Sequence, residues 1–226
     1  MSIWPQAPDG EFKSFVYEQF ARIGKALSSP PRLVILNILC QGEHTVESLS
    51  RHAALTVANL SRHLQVLKSV NLVKVRRDGK YIYYSLPDEQ TCNFFTSFKD
   101  FGFQQLFELR AALEEISTAP SRVHPVDMDE LQRLVDENEV VLLDVRPKEE
   151  YAQAHLPGAI SVPLDELELR LDELEKGKKI VAYCRGRFCI LADQAVDILL
   201  AKGFKASRAD DGVVEWRKAG LPIEEN

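Results

Sequence analysis

The sequence has no run of about 18 apolar residues, so no membrane-spanning helix is expected. Its first residues, Met1-Ser2-Ile3-Trp4-Pro5, show neither a basic n-region nor an apolar h-region, and no secretory signal is read there. A cytoplasmic location is expected. Cysteine is scarce: Cys40, Cys92, Cys184 and Cys189 are the whole set. So few thiols in a reducing compartment argue against a disulfide framework and leave packing, metal or reactive roles. There is no internal repeat and no long low-complexity segment.

The remainder is ordinary for a globular chain, with 45% apolar and 27% charged residues among 226. That length suits one large domain or two small ones. The net charge of −6 conceals an asymmetry. Residues 1–120 hold 13 Lys/Arg and 12 Asp/Glu, whereas residues 121–226 hold 15 and 22. Within 51–80, seven basic residues face a single acid, Asp78. This local excess suits a polyanion, although a solvated face would read the same way.

The texture changes near Ser117-Thr118-Ala119-Pro120-Ser121. Before it, helical periodicity dominates; after it, short Val/Ile/Leu runs alternate with helical patterns, as in βαβ units. The expected organisation is a mainly α first domain over 1–116, a linker over 117–123, and a second, α/β domain over 124–226 built on a central parallel sheet. In the first, helices are expected over 11–27, 32–40, 46–53, 57–69 and 89–116. Pro30-Pro31 ends one helix and opens the next. A hairpin is expected over Val73–Leu86, turned by Asp78-Gly79 in a type I′ geometry.

Two short helices followed by a two-stranded ribbon make a winged helix-turn-helix. In the 57–69 segment Val57, Leu60, Leu64 and Leu67 form the inner stripe. Thr56 caps the helix, and Asn59, Arg62 and His63 lie outside or near its N-terminus. A recognition helix needs that division, with polar residues toward base edges and an apolar stripe toward the core. Arg62 suits guanine and Asn59 suits adenine through paired hydrogen bonds. Arg76, Arg77 and Lys80 on the wing suit phosphates, which position without specifying. Double-stranded DNA is the expected partner.

Leu55-Thr-Val-Ala-Asn-Leu-Ser-Arg-His-Leu-Gln-Val-Leu67 and Leu72-Val-Lys-Val-Arg-Arg-Asp-Gly-Lys-Tyr-Ile-Tyr-Tyr84 carry a resemblance: residues 20–86 are similar to the ArsR-type winged-helix repressors. The resemblance implies a homodimer, paired through its N- and C-terminal helices, that represses transcription. The aromatic-rich segments 11–27 and 89–116 would supply that interface; alternatively their aromatics fill the monomer core. Many such repressors sense metals, but no Cys-x-Cys stands in Val46-Glu-Ser-Leu-Ser-Arg-His52 and no His stands in 89–116. Cys40 is expected in the core, Cys92 stands alone, and His44 and His52 are read as non-ligands. No metal or cofactor site is expected.

In the second domain, Val140-Val-Leu-Leu-Asp-Val145 and Lys179-Ile-Val-Ala-Tyr183 read as buried parallel strands. Cys184 follows the latter directly, then Arg185-Gly186-Arg187-Phe188-Cys189 and a helix over about 189–202. A thiol between a parallel strand and a helix meets loop N–H groups and the helix dipole, which favour the thiolate. Gly186 permits a tight curl, and Arg185 and Arg187 add charge for an anionic sulfur donor such as thiosulfate or polysulfide. Leu143-Asp-Val-Arg146 with Glu150, His155-Leu-Pro-Gly-Ala159, the Cys184 loop, and Asp211-Gly212 with Trp216, Gly220, Leu221 and Pro222 together resemble a single-domain rhodanese over about 124–224. The resemblance implies a sulfurtransferase-type persulfide relay at Cys184, with Asp144 and Arg146 structural. The loop departs from the common form: Gly stands two residues after the Cys rather than three, and Cys189 replaces the Arg usual five residues after it. A phosphatase-type loop would need Arg at position 190, which is Ile190. The Cys-x4-Cys spacing allows a bridge where geometry permits and fits a redox or persulfide sensor; otherwise Cys189 is a small residue of the first helical turn. The expectation is a repressor with a sulfane-sulfur or oxidant-sensing thiol, the alternatives being a sulfurtransferase with the winged helix as dimerisation and autoregulatory module and a repressor whose second domain only docks a protein or carries sulfur to one.

Overall fold

The computed structural model describes residues 9–118, 125–175 and 177–225. The expected linker at 117–123 and the expected domain start at His124 fall largely outside them. The chain forms two compact units, Met1–Cys92 and Asn93–Asn226.

The first unit opens with α1 (Asp9–Leu27) and α2 (Pro30–Leu39). Ile35, Leu36, Ile38 and Leu39 of α2 are buried. A two-residue strand, β1 (His44–Thr45), leads into α3 (Val46–His52), whose N-terminus is capped by Thr45 Oγ1 accepting from the Ser48 N–H at 3.1 Å. α4 (Val57–Ser69) is capped in the same way by Thr56, and buries Leu60, Leu64 and Leu67. It stops because Asn71 adopts a left-handed φ of 57°, while the Leu72 and Asn71 N–H groups donate back to the Leu67 and Lys68 carbonyls at 3.0 Å each. That is the pair of bonds that closes a helix end when the chain turns left-handed.

The wing is β2 (Lys74–Asp78) paired with β3 (Tyr81–Ser85), and β1 joins β3 on its other edge. Sequence periodicity gives no sign of so short a strand as β1. The pairing Asp78↔Tyr81 puts Gly79-Lys80 at the turn. Gly79 has φ +56° and Lys80 is not among the positive-φ residues. Those signs are those of a type II′ turn with Gly first, not of the expected type I′, which needs positive φ at both positions.

α5 (Glu89–Gln105) begins in the first unit and continues into the second, followed by α6 (Phe107–Thr118). One helix was expected here. The helix is interrupted at Leu106, close to where the Gln104 carbonyl takes a hydrogen bond of 2.8 Å from Arg110 Nη1. A side chain competing for a main-chain acceptor is a recognised cause of helix interruption.

Beyond these, the second unit holds α7 (Met128–Asp136), β4 (Val140–Asp144), α8 (Lys148–Tyr151), β5 (Ile160–Ser161), β6 (Lys179–Tyr183), α9 (Leu191–Ala201), β7 (Ala206–Arg208) and α10 (Val213–Lys218). The sheet runs β5-β4-β6-β7 and every pairing is parallel. β4 is buried along its whole length and β6 nearly so, as central strands covered on both faces must be. Leu143, Val162, Ile180, Ala182, Ala195 and Leu199 belong to the core on one face; Leu131, Leu142, Leu156, Val181, Tyr183 and Trp216 belong to the core on the other. Asp144 lies opposite Tyr183 in the register, so β4 and β6 reach the carboxyl edge together. Cys184 is the next residue. Open α/β sheets place their sites at that edge.

Candidate functional site

Two side-chain sets answer to the sequence reading, one in each unit. In α4, Thr56, Asn59 and Arg62 are exposed and His63 is half-buried, on a helix whose Leu stripe is fixed in the core. Val57, expected inside, is 49% exposed and joins this outer face. On the wing, Arg77 and Lys80 are exposed. Arg76 is held differently from expectation. Its Nη2 and Nε donate to Glu43 at 2.7 and 3.2 Å, its Nη1 donates to Asp78 at 3.1 Å, and its guanidinium lies 4.4 Å from the Tyr83 ring centre. Arg76 therefore ties the ribbon to the segment before β1, and sequence gave no hint of Glu43 as its partner.

The thiol loop is built on two buried ion pairs. Arg146 is fully buried and its Nη2 lies 2.6 Å from Asp144 Oδ2. The Arg146 main-chain N–H also donates to Asp144 at 2.9 Å, and Nη2 donates to the Ala154 carbonyl at 2.8 Å. The second pair joins Glu150, likewise fully buried, to Arg185, whose Nε donates to Oε2 at 3.0 Å. Arg185 was expected to face an anionic donor; instead it anchors the start of the loop to α8.

Gly186 sits at φ +90°, a conformation that favours glycine. Gly212, at the start of α10, packs directly beneath the loop: a Cβ built there would stand 2.4 Å from the Cys184 carbonyl oxygen and 2.9 Å from the Gly186 nitrogen. The sequence pattern Asp211-Gly212 was legible, but not the reason for its glycine. Within the same unit, the Arg187 guanidinium lies 5.5 Å from the Phe103 ring centre and the Phe188 ring 6.1 Å from it.

Cys184 is buried and Cys189 is partly exposed. The Cys184 Sγ lies 3.3 Å from the Cys189 carbonyl oxygen and donates to it. Burial, reinforced by the neighbouring Cys189 sulfur, pushes the Cys184 thiol well above its ordinary range. The expectation was that the loop lowers the Cys184 pKa; burial acts on it in the opposite direction. Cys189 moves the other way, to about 6: the neighbouring Cys184 thiol first, then the N–H groups of Arg185 and Leu191 and the Arg185 charge, outweigh burial. The donors of the loop thus favour a thiolate at Cys189, five residues after the expected position. Ile190, expected on the inner face of α9, is 58% exposed, and Ala192, Ala195, Val196 and Leu199 take that role.

Among the described residues, no three His, Cys, Asp or Glu side chains converge as a metal site would require. Also among them, no helix is long and apolar enough to cross a membrane.

Comparison with known proteins agrees with both halves. Residues 29–75 match the family described as bacterial regulatory protein, arsR family, and residues 127–219 match the rhodanese-like domain. Across 219 residues the chain is 40% identical to the HTH-type transcriptional regulator Rv0324 of Mycobacterium tuberculosis, covering 97% of this chain and 96% of the relative. The chain belongs to the arsR family of bacterial regulatory proteins and carries a rhodanese-like domain. A protein named Sulfurtransferase from Allochromatium vinosum is 33% identical over 103 residues, 45% of this chain and 94% of its own length. Among solved structures, the homodimeric winged helix-turn-helix DNA-binding domain Mb0332 of Mycobacterium bovis is 34% identical, with a TM-score of 0.42, covering 46% of this chain and 95% of that one. The arsR match includes α2, α3 and α4, the core of the winged-helix unit. The rhodanese match runs from the cap of α7 past α10 and encloses the whole thiol loop.

Proposed function

We propose that this chain is a homodimeric transcriptional repressor that reads double-stranded DNA through α4 and the wing. Its rhodanese-like domain takes up sulfane sulfur or an oxidising equivalent at the Cys184–Cys189 pair, and that modification changes DNA affinity. The observation that carries the reading is the pairing, in one chain, of an exposed polar α4 face on a fixed apolar stripe with a two-thiol loop that stabilises a thiolate. The name of the Mycobacterium tuberculosis relative, a transcriptional regulator, supports the DNA half. A DNA reader works where the chromosome is, which fits the cytoplasm.

Dimerisation is drawn from the apolar side chains left exposed on helices outside the recognition element. Phe12, Tyr17 and Phe20 of α1 are each at least half exposed, as are Phe101 of α5 and Phe107 of α6. Exposed apolar patches of this kind mark interaction surfaces, and the ArsR resemblance supports pairing through those helices.

The test is DNA affinity on a fragment upstream of the protein's own gene, measured for reduced protein and for protein treated with polysulfide. The parent is expected to change affinity reversibly, and the double variant Cys184→Ser/Cys189→Ser is expected to bind DNA without responding. A double variant that responds like the parent would refute the thiol assignment. For the groove assignment, Arg62→Ala is expected to cost about 1–3 kcal/mol and relax sequence preference, whereas Arg77→Ala weakens binding evenly and flattens its salt dependence. Unchanged affinity in both removes α4 and the wing from the interface.

A second reading, a thiosulfate or persulfide sulfurtransferase with the winged helix as dimerisation and autoregulatory module, is favoured by the relative named Sulfurtransferase, which aligns along 94% of its length. Rapid thiosulfate:cyanide turnover that disappears in Cys184→Ser would favour it over the sensor.

A further inference from the structure

The two thiols of the loop are not equivalent. Cys184 directly follows the central strand β6 and is only 2% exposed. Its proton is engaged, since its Sγ donates to the Cys189 carbonyl at 3.3 Å. Cys189 is more exposed than Cys184, although it too packs partly against the core, and it lies two residues before Leu191, the first residue of the eleven-residue α9. The main-chain N–H groups of Arg185 and Leu191 favour its thiolate. The Arg185 guanidinium, fixed by Glu150, adds positive charge. A thiolate needs such a set of donors at a helix N-terminus, and an attacking group must also be reachable.

We infer that Cys189, rather than Cys184, takes the sulfane sulfur from the donor, and that Cys184 then acts as the resolving thiol. The inference rests on the proposed sulfur chemistry of this loop and assigns its order. In the first step the Cys189 thiolate attacks the sulfane sulfur of a hydropersulfide donor, R–S–SH. A Cys189–S bond forms, the donor S–S bond breaks, and its electron pair leaves with R–S⁻. The product is Cys189–S–SH. In the second step the Cys184 sulfur attacks the inner sulfur of that persulfide. The Cys184–Cys189 disulfide forms and the terminal sulfur departs as HS⁻, taking the Cys184 proton to become H2S. The two protein sulfurs are oxidised together by two electrons, and the sulfane sulfur is reduced to sulfide. A switch of this kind is read out as a disulfide, and Cys184 needs no direct access to the donor.

Order is read by peptide mapping of the full-length chain. Trypsin cuts after Arg185 and Arg187, so the two cysteines fall on separate peptides. Reduced protein is given limiting iodoacetamide or limiting glutathione persulfide, quenched early and digested. Both reagents are expected to mark Cys189 first. Cys184→Ser is expected to accumulate the Cys189 persulfide without releasing sulfide. Cys189→Ser is expected to take up sulfur at Cys184 at least about tenfold more slowly, because access and thiolate fraction are both lost. A thermal melt on each variant verifies folding. Marking of Cys184 first, or parent-rate uptake in Cys189→Ser with none in Cys184→Ser, overturns the order and leaves the sulfur reading intact. Uptake at neither cysteine overturns both.

Discussion

Gly212→Ala isolates the contact between α10 and the thiol loop. Gly212 has φ −119°, which alanine adopts without strain, so backbone conformation does not confound the change. Alanine also keeps the N–H that donates to Glu215 Oε2 at 3.1 Å, so the cap of α10 survives. What changes is one methyl group, placed 2.4 Å from the Cys184 carbonyl oxygen and 2.9 Å from the Gly186 nitrogen. Both are main-chain atoms, and neither can swing aside as the end of a flexible side chain can. The loop or α10 must move. Overpacking of this kind costs about 1–3 kcal/mol, while lost freedom in the unfolded chain returns about 0.4–1 kcal/mol. A net loss of about 1–2 kcal/mol corresponds, at a urea slope of about 2 kcal/mol/M, to a midpoint lowered by about 0.5–1 M. The assay is urea unfolding followed by Trp216, which is buried in α10, in a Trp4→Phe background that removes the other indole. Iodoacetamide kinetics at Cys189 are followed in parallel and are expected to change, because the donors that surround its sulfur belong to the displaced loop. Gly24→Ala, where a Cβ meets nothing within 4 Å, is the control and is expected to be neutral or stabilising. A Gly212→Ala protein with the parent's midpoint and the parent's Cys189 kinetics would refute the claim that this glycine holds the loop's shape.

Arg146→Met would leave the Asp144 carboxylate buried without its partner and is expected to destabilise the rhodanese-like domain by about 3–5 kcal/mol in thermal or urea unfolding; a loss under 1 kcal/mol would mean the pair is dispensable. With the Cys189 thiol lowered from 9.0 to about 6, its alkylation rate in the folded protein is expected to rise to half its plateau near pH 6. The same shift makes its stabilising contribution full above pH 9 and absent below about 6; a midpoint near 9 in the native protein would contradict the donor set described. Asp211 is displaced the opposite way, from 3.8 to about 6, by burial first and then by Glu215. Its proton is held more tightly in the native state than in the unfolded chain, so stability is expected to fall as pH rises from about 4 to 6. Asp211→Asn should flatten that segment of the stability–pH curve, and an unchanged slope would show that Asp211 does not create it.

Much of this architecture was legible because it is encoded locally. The Leu stripe of α4, the Thr56 cap, the Gly79 turn and the apolar strands β4 and β6 each follow from spacings of a few residues. The strand-then-Cys184-then-helix order by itself places the thiol loop at the sheet's carboxyl edge. What could not be read is what depends on distant partners. Arg76 and Arg185 look alike in sequence to Arg77 and Arg187, as basic residues in loops or ribbons; only the fold brings Glu43 to one and Glu150 to the other. The break at Leu106 depends on a side-chain bond between Arg110 and Gln104. The relative acidity of the two thiols was invisible for the same reason, since it depends on which sulfur the strand buries and which the helix N-terminus receives.

The two buried ion pairs at the sheet edge explain why the loop is built from charge where apolar contacts would cost less. A buried pair gives little net stability compared with packed hydrocarbon, so its retention calls for another reason. Asp144 accepts from the Arg146 main-chain N–H as well as from its guanidinium, and Arg146 in turn donates to the Ala154 carbonyl. These directional bonds fix the turn after β4 and the segment after α8. Glu150, carried on α8, then fixes Arg185, the first residue after Cys184. Hydrocarbon packing would permit small shifts at each of these steps, whereas hydrogen bonds between rigid groups do not. The guanidinium that emerges from this chain is neutralised on one side by Glu150 and still adds positive charge at the Cys189 sulfur. One residue therefore both sets the loop's position and favours its thiolate. A lysine at 185 would keep the charge but lose the planar fork that holds it in place.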